Sequence, residues 1–190
     1  EYNIRVMNLS LAADSTESYL TDPLCRAVRS AAAAGITVVV AAGNFGQNAS
    51  GAGRFGTISS PGHDPSVITV GSANTKGTAV RSDDTVNLFS SRGPTRGSYL
   101  DAAGVRRVDN LLKPDLVAPG NMLVGAAATR ADSATPTWNN LGALFYPVLV
   151  TPTGITQPSR ETQMYLSGTS VSAPVVSGAA AVLLQVNPGL

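Results

Sequence analysis

The chain is poor in the residues that most metal and redox chemistry needs. Among 190 residues there is one cysteine, Cys25, and one histidine, His63. A lone cysteine excludes an internal disulfide and a thiolate metal cluster. Charged residues make up 13% of the chain, with 13 basic side chains against 12 acidic ones and a net charge of +1. That balance gives no electrostatic reason to expect nucleic acid or an anionic membrane as partner. Phosphate-cradling glycine loops and nucleotide fingerprints are missing too. The acidic pair Asp83–Asp84 and the scattered loop carboxylates lack metal-ligand spacing. Neither a signal peptide nor a spanning segment is evident. The first residue is Glu1 and leads straight into a strand-like pattern, so an upstream part is expected to have been removed. What remains is 43% hydrophobic, enough for one globular domain with a real core.

The most distinctive stretch present is Leu166–Val186, LSGTSVSAPVVSGAAAVLLQV. Apolar residues fall on every side of its helical wheel, which predicts a helix buried all round. It is short for a bilayer span and has a polar entry. Pro174 suits only a first turn, which predicts a helix start between about Ser170 and Ser172. Asn187, Pro188 and Gly189 predict its end. Ser170 then sits among unpaired N–H groups at the positive end of the helix. From composition alone two readings of Ser170 stand side by side: an N-cap, or a nucleophile whose oxyanion the helix end would stabilise.

Upstream, Ile4–Leu11 alternates as a strand, with Met7, Leu9 and Leu11 on one face and Val6, Asn8 and Ser10 on the other. Thr21 or Asp22 caps a helix with Pro23 at its first position, a stripe of Leu24, Val28 and Ala31, and Gly35 past its end. Cys25 reads as a small buried residue of that helix. Ile36–Ala42 is a continuous β-branched run, the mark of a strand covered on both faces. Strand, helix and strand in about forty residues form a βαβ unit. Asn44 lies just past the carboxyl end of the second strand, the edge where open α/β sheets bind ligands. Ser66–Gly71 is a further short strand, and Met122–Ala128 could be another. The fold class expected is α/β, a parallel sheet flanked by helices. His63 reads as an exposed loop histidine. The order His63, an aspartate, Ser170 would suit a chymotrypsin-type triad, but its β-barrel conflicts with the βαβ pattern.

Six segments carry a family resemblance. Gly168–Pro174 (GTSVSAP) resembles GTSMAxP, the nucleophile motif of subtilisin-like serine peptidases, the subtilases; Val171 and Ser172 depart from it. Val6–Ala12 (VMNLSLA) is similar to the family's VINxSLG, and Ala33–Gly46 to its strand ending in AAGN. Leu88–Pro94 and Lys113–Gly120 resemble FSSxGP and KPDxxAPG. Ser60–Ala73 resembles a segment whose proline is commonly cis, which implies a cis Ser60–Pro61 bond.

The resemblance implies a serine endopeptidase acting through an acyl-serine. Ser170 would attack, while the Asn44 amide and the Ser170 N–H hold the oxyanion. Ser10, Leu11 and Ala12 would pair with the substrate backbone, and Leu11 with Ala41, Ala42 and Gly43 would wall the pocket before the scissile bond. Ala12 stands where the family has glycine. Thr169 would support the nucleophile turn. The family's Asp and His motifs precede the VINxSLG strand, so base and orienting carboxylate are expected from an upstream segment of the same catalytic domain. By itself this chain is expected to be inactive. An inactive binding or structural module on the same scaffold is the alternative.

Residues 1–190 would be the later portion of that domain, with insertions at about 95–112 and 130–163. The partner implied is a protein or peptide substrate, with no nucleic acid and no membrane. No cofactor is required for the chemistry. Structural calcium is frequent in the family, but no ligands are assignable. The location implied by the family is secreted or extracytoplasmic.

Overall fold

The computed structural model describes residues 3–126, 129–131, 138–140, 147–150 and 163–190. Two compact units emerge, one made of Glu1–Asn121 with Gly168–Leu190, the other of Met122–Ser167.

In the first unit the β-branched run forms β2 (Thr37–Ala41), flanked in parallel by β1 (Val6–Leu9) and β3 (Ile68–Asn74). β7 (Leu116–Pro119) also pairs β3 in parallel, and β4 (Thr85–Val86) pairs it antiparallel. Side chains of β2 alternate between two cores, as a period of two requires. Val39 and Ala41 pack with Val70, Ala118 and Ala173 of the C-terminal helix. Val38 and Val40 pack with Val67 and with Val28 of the first helix, α1 (Pro23–Ala33). Both faces of the sheet are therefore covered by a helix. Burying each of these valines stabilises the fold by about 1.5–3 kcal/mol before chain entropy is counted.

Helix α1 starts as its sequence dictates. Asp22 Oδ1 accepts from the N–H groups of Leu24 and Cys25, with Pro23 behind the cap. Gly35, at φ +84°, follows its last turn. Val28 is buried and Ala31 packs against the same core as expected, but Leu24 is exposed and Cys25 takes its place on the buried face. β1 is likewise shorter than its alternating pattern, and Leu11 lies beyond it, exposed. The Thr95–Leu112 excursion folds into an antiparallel pair, β5 (Ser98–Leu100) and β6 (Arg106–Val108), closed by Asp101 and Arg107 at 2.8 Å. Ser60–Pro61 is cis as the resemblance implies, and so are Gly93–Pro94 and Lys113–Pro114, which the sequence did not announce.

In the second unit, β8 (Leu123–Ala126) pairs antiparallel with β11 (Gln163–Leu166), and β9 (Thr129–Ala131) with β10 (Trp138–Asn140). A single-turn helix, α2, spans Pro147–Val150. Most of the expected 130–163 insertion, including Phe145 and Tyr146, lies outside the described residues.

The C-terminal helix, α3, spans Thr169–Val186 and packs on β1, β2, β3 and β7. Two expectations fail here. The helix starts at Thr169, before the window allowed by Pro174, and that proline stands inside it. Nor is it buried all round. Thr169, Ser172, Ala173 and Ser177 are buried, while Val182, Leu183 and Val186 are exposed, the last at 80%. One sheet reaches only one stripe of a helix, and among the described residues nothing covers the rest. By length and composition α3 could cross a membrane; its stripe lies instead on four strands of the sheet.

Candidate active site

The start of α3 is assembled from pieces that each have a local cause. Its N-cap, Gly168, has no side chain and makes no side-chain cap bond. The cap comes instead from the edge of the sheet. Asn44 Oδ1 accepts from the Thr169 N–H at 2.9 Å and from Thr169 Oγ1 at 3.0 Å. Thr169 is fully buried, and its hydroxyl in turn accepts from the Gly43 N–H at 3.1 Å. These bonds also settle the orientation of the Asn44 amide. A backbone N–H can only donate, so the Asn44 atom facing it must be the oxygen. Nδ2 is therefore turned away from Thr169, and among the described residues no group accepts from it.

The Ser170 N–H is the second donor without a partner among the described residues. The next two amides, of Val171 and Ser172, return to the Gly168 carbonyl, and the Thr169 amide is taken by Asn44. Both free donors border one small space. A Cβ built on Gly168 would sit 3.3 Å from Asn44 Nδ2 and 3.7 Å from the Ser170 nitrogen. Gly168 has φ +153° and ψ 162°, a backbone region open essentially to glycine alone. The glycine thus both permits the turn and leaves the space open. Two N–H donors bordering one space, beside the half-buried Ser170 at a helix N-terminus, can stabilise a negative oxygen there.

Close packing holds this end in place. Gly168 N–H donates to the Gly120 carbonyl at 2.9 Å, and a side chain at Gly120 would collide with Ser172 Oγ. Gly43, at φ +103°, faces Ser59 Oγ and Ser91 Oγ so closely that no Cβ fits.

The other expected site residues divide. Ser10, Leu11 and Ala12 continue past β1 with backbone N–H and C=O groups that take no partner among the described residues, and all three are exposed. The Ser10 hydroxyl, however, is committed, donating to the Ser170 carbonyl at 2.7 Å. Ala41, Ala42 and Gly43 are buried, the two alanines completely, so they offer no open wall. A cavity of about 190 Å³ opens instead beside Phe45, among Asp14, Arg54, Ser59, His63 and Arg96, and neither Ser170 nor Asn44 lines it. Phe45, half exposed one residue after Asn44, carried no signal in the sequence beyond that position.

His63 is not an exposed loop residue; it is 2% accessible. Its Nε2 lies 3.4 Å from Cys25 Sγ, under α1. The chain reversal at Pro61–Asp64 folds inward because Asp64 Oδ1 caps Ser66 and Oδ2 meets Arg29 at 2.6 Å. Asp22, Cys25 and His63 form the one grouping of potential metal ligands among the described residues. Their chemistry does not suit a cation. Burial and the nearby Asp22 and Asp64 carboxylates push the Cys25 thiol up to about 12. Both Asp22 oxygens already accept, Oδ1 from Leu24, Cys25 and Ser60 and Oδ2 from Ser15.

Comparison with known proteins places this geometry in context. The Subtilase family profile matches residues 1–190. Serine protease AprX of Bacillus subtilis (strain 168) is 35% identical over 191 residues, 98% of this chain and 35% of that protein. The subtilisin-like protease SBT1.7 of Arabidopsis thaliana is 34% identical over 110 residues, 57% of this chain and 11% of its own length. Among solved structures, a cold adapted subtilisin-like serine proteinase superposes with TM-score 0.52 at 27% identity, covering 97% of this chain and 43% of that one. The chain spans less than half the length of each of these proteins.

Proposed function

Because the chain belongs to the subtilase family, we propose that residues 1–190 are the later portion of a serine endopeptidase catalytic domain, with Ser170 as its nucleophile. The segments at about 95–112 and 130–163 are then insertions in that domain. Ser170 Oγ attacks the carbonyl carbon of a peptide bond and gives up its proton to a histidine base. Negative charge builds on the carbonyl oxygen, between Asn44 Nδ2 and the Ser170 N–H. Collapse of the tetrahedral species expels the amine, which takes the proton from the histidine, and leaves an acyl-serine. Water then attacks that ester by the same steps in reverse.

The base and its orienting carboxylate come, in this reading, from a segment of the same catalytic domain outside these residues. The sole histidine, His63, is buried against Cys25 and cannot serve. The open backbone edge at Ser10–Ala12 supports pairing with an extended peptide, in the manner of a strand added to a sheet. A protein or peptide substrate follows, and the chemistry calls for no cofactor. An extracytoplasmic location follows from the family alone.

The observation that carries this reading is the fixed Asn44 amide, which leaves Nδ2 and the Ser170 N–H facing one space. Labelling the full-length gene product with a fluorophosphonate tests it. The label should attach to Ser170 and vanish in Ser170→Ala. The second reading, an inactive binding module, draws on the absence of any usable histidine within residues 1–190. It would be favoured if a full-length product that carries Asp and His motifs upstream neither labels nor cleaves any peptide.

A further inference from the structure

Pro174 stands inside α3, four residues after Ser170. In a regular helix the N–H of residue 174 would donate to the carbonyl of residue 170. Proline has no N–H, and its ring crowds that carbonyl. The Ser170 carbonyl therefore lacks its helical donor. Ser10 Oγ, 2.7 Å away, occupies that role from the end of β1.

This single contact fixes the direction of a longer chain of bonds. A carbonyl only accepts, so the Ser10 hydroxyl must spend its one proton there. Asn8, 2.9 Å from Ser10 Oγ, must then donate to it through Nδ2. That turns Asn8 Oδ1 toward Ser177 Oγ, 3.0 Å away, whose one proton is shared between Asn8 Oδ1 and the Ala173 carbonyl, also at 3.0 Å. Asn8 and Ser10 are two apart on one strand face, and Ser170 and Ser177 are two turns apart on one helix face. These three side chains and the Ser170 carbonyl thus tie β1 to α3 at the residue that bears the reacting hydroxyl.

We propose that Ser10 is a positioning residue for Ser170: its hydroxyl replaces the N–H that Pro174 withholds, and so sets the bearing of the Ser170 side chain. Asn44 holds Thr169, the residue before Ser170, and Ser10 holds the Ser170 carbonyl. Between these two anchors the Cα–Cβ bond of Ser170 has one direction. A side chain that lies past the end of its strand is in this arrangement part of the support for the nucleophile. The proposal rests on Ser170 being the nucleophile of the full-length enzyme.

The test is a double-mutant cycle between Ser10 and Pro174 in the full-length gene product. Fluorophosphonate labelling rate, kcat and KM are read below the thermal midpoint of every variant. Ser10→Ala should lower the labelling rate and kcat about three- to tenfold, the net worth of one hydrogen bond, with KM unchanged. Ser10→Thr, which keeps the hydroxyl at an exposed position, should restore both. In a Pro174→Ala background residue 174 regains an N–H for the Ser170 carbonyl, and Ser10→Ala should then cost less than twofold. A role in general stability alone would move the unfolding midpoint and leave this coupling at zero. Equal losses in both backgrounds, no loss in either, or a loss confined to KM would overturn the proposal. Failure of Ser170→Ala to abolish labelling would instead overturn the assignment of the nucleophile, whatever Ser10 does.

Discussion

Replacing Asn44 with aspartate separates two roles of one side chain. Asn44 Oδ1 caps α3 by accepting from the Thr169 N–H and hydroxyl, at 2.9 and 3.0 Å. Its Nδ2 is the proposed oxyanion donor. Asn44→Ala removes both, and loss of a helix cap costs about 0.5–2 kcal/mol. Asn44→Asp keeps an oxygen in the capping position and adds negative charge at a helix N-terminus, a gain of about 0.3–1 kcal/mol. The same carboxylate puts an acceptor where the donor was. Loss of one oxyanion donor costs about a hundredfold to a thousandfold in turnover, a magnitude measured on a subtilisin and carried over here. Stability and activity should thus part company. In urea, the aspartate variant should unfold at or above the wild-type midpoint and the alanine variant below it, with equal m-values. In peptide hydrolysis both should be nearly inactive, the aspartate variant at least as far reduced as the alanine one. An aspartate variant that retains wild-type turnover, or that unfolds as early as the alanine variant, refutes the two-role reasoning.

Other substitutions test neighbouring parts of the structure. Gly168→Ala should destabilise the protein by about 1–3 kcal/mol through its backbone at φ +153°. It should also depress kcat, because the added methyl meets Asn44 Nδ2 at 3.3 Å; denaturation and steady-state kinetics read the two effects. The Cys25 thiol, pushed up to about 12 by burial first and by Asp22 and Asp64 next, should resist a chromogenic disulfide reagent at pH 8 in the folded protein and react fully in denaturant. For Asp22, burial alone would raise the pKa, but hydrogen bonds from Ser15, the Cys25 N–H and Ser60 outweigh it and hold it below the ordinary value. A depressed folded pKa contributes stability above the unfolded carboxylate value, about 3.9, and loses it as pH falls through the folded one. Asp22→Asn should therefore lower the denaturation midpoint at pH 7 and approach the wild type toward pH 2.

How far the sequence could be read depended on whether a signal was local or tertiary. The β-branched run of β2 announced a strand covered on both faces, and Val38 to Ala42 are buried on both. The Asp22–Pro23 start and Gly35 stop of α1 were legible because capping is a matter between near neighbours. Ser170 and Asn44 were found through motif resemblance, and their proximity comes from two parallel ladders that bring the end of β2 to the start of α3. The misreadings share a cause. His63 looked like a surface turn residue because nothing in its neighbours reveals the Cys25 thiol 38 positions away. The start of α3 was misplaced because proline in a helix interior costs about 3 kcal/mol, and the rule that avoids it cannot foresee a serine hydroxyl from another strand. A local rule broken at a reacting centre is where function is to be expected. Complete burial of α3 was expected from its composition, yet the described residues cover only one of its faces.

The most direct measurement is a crystal structure of the full-length gene product carrying a phosphonyl group on its reactive serine. The account requires the adduct on Ser170 Oγ, with one phosphonyl oxygen about 2.7–3.1 Å from both Asn44 Nδ2 and the Ser170 nitrogen. An adduct on another residue, or an oxygen turned away from Asn44, would contradict it.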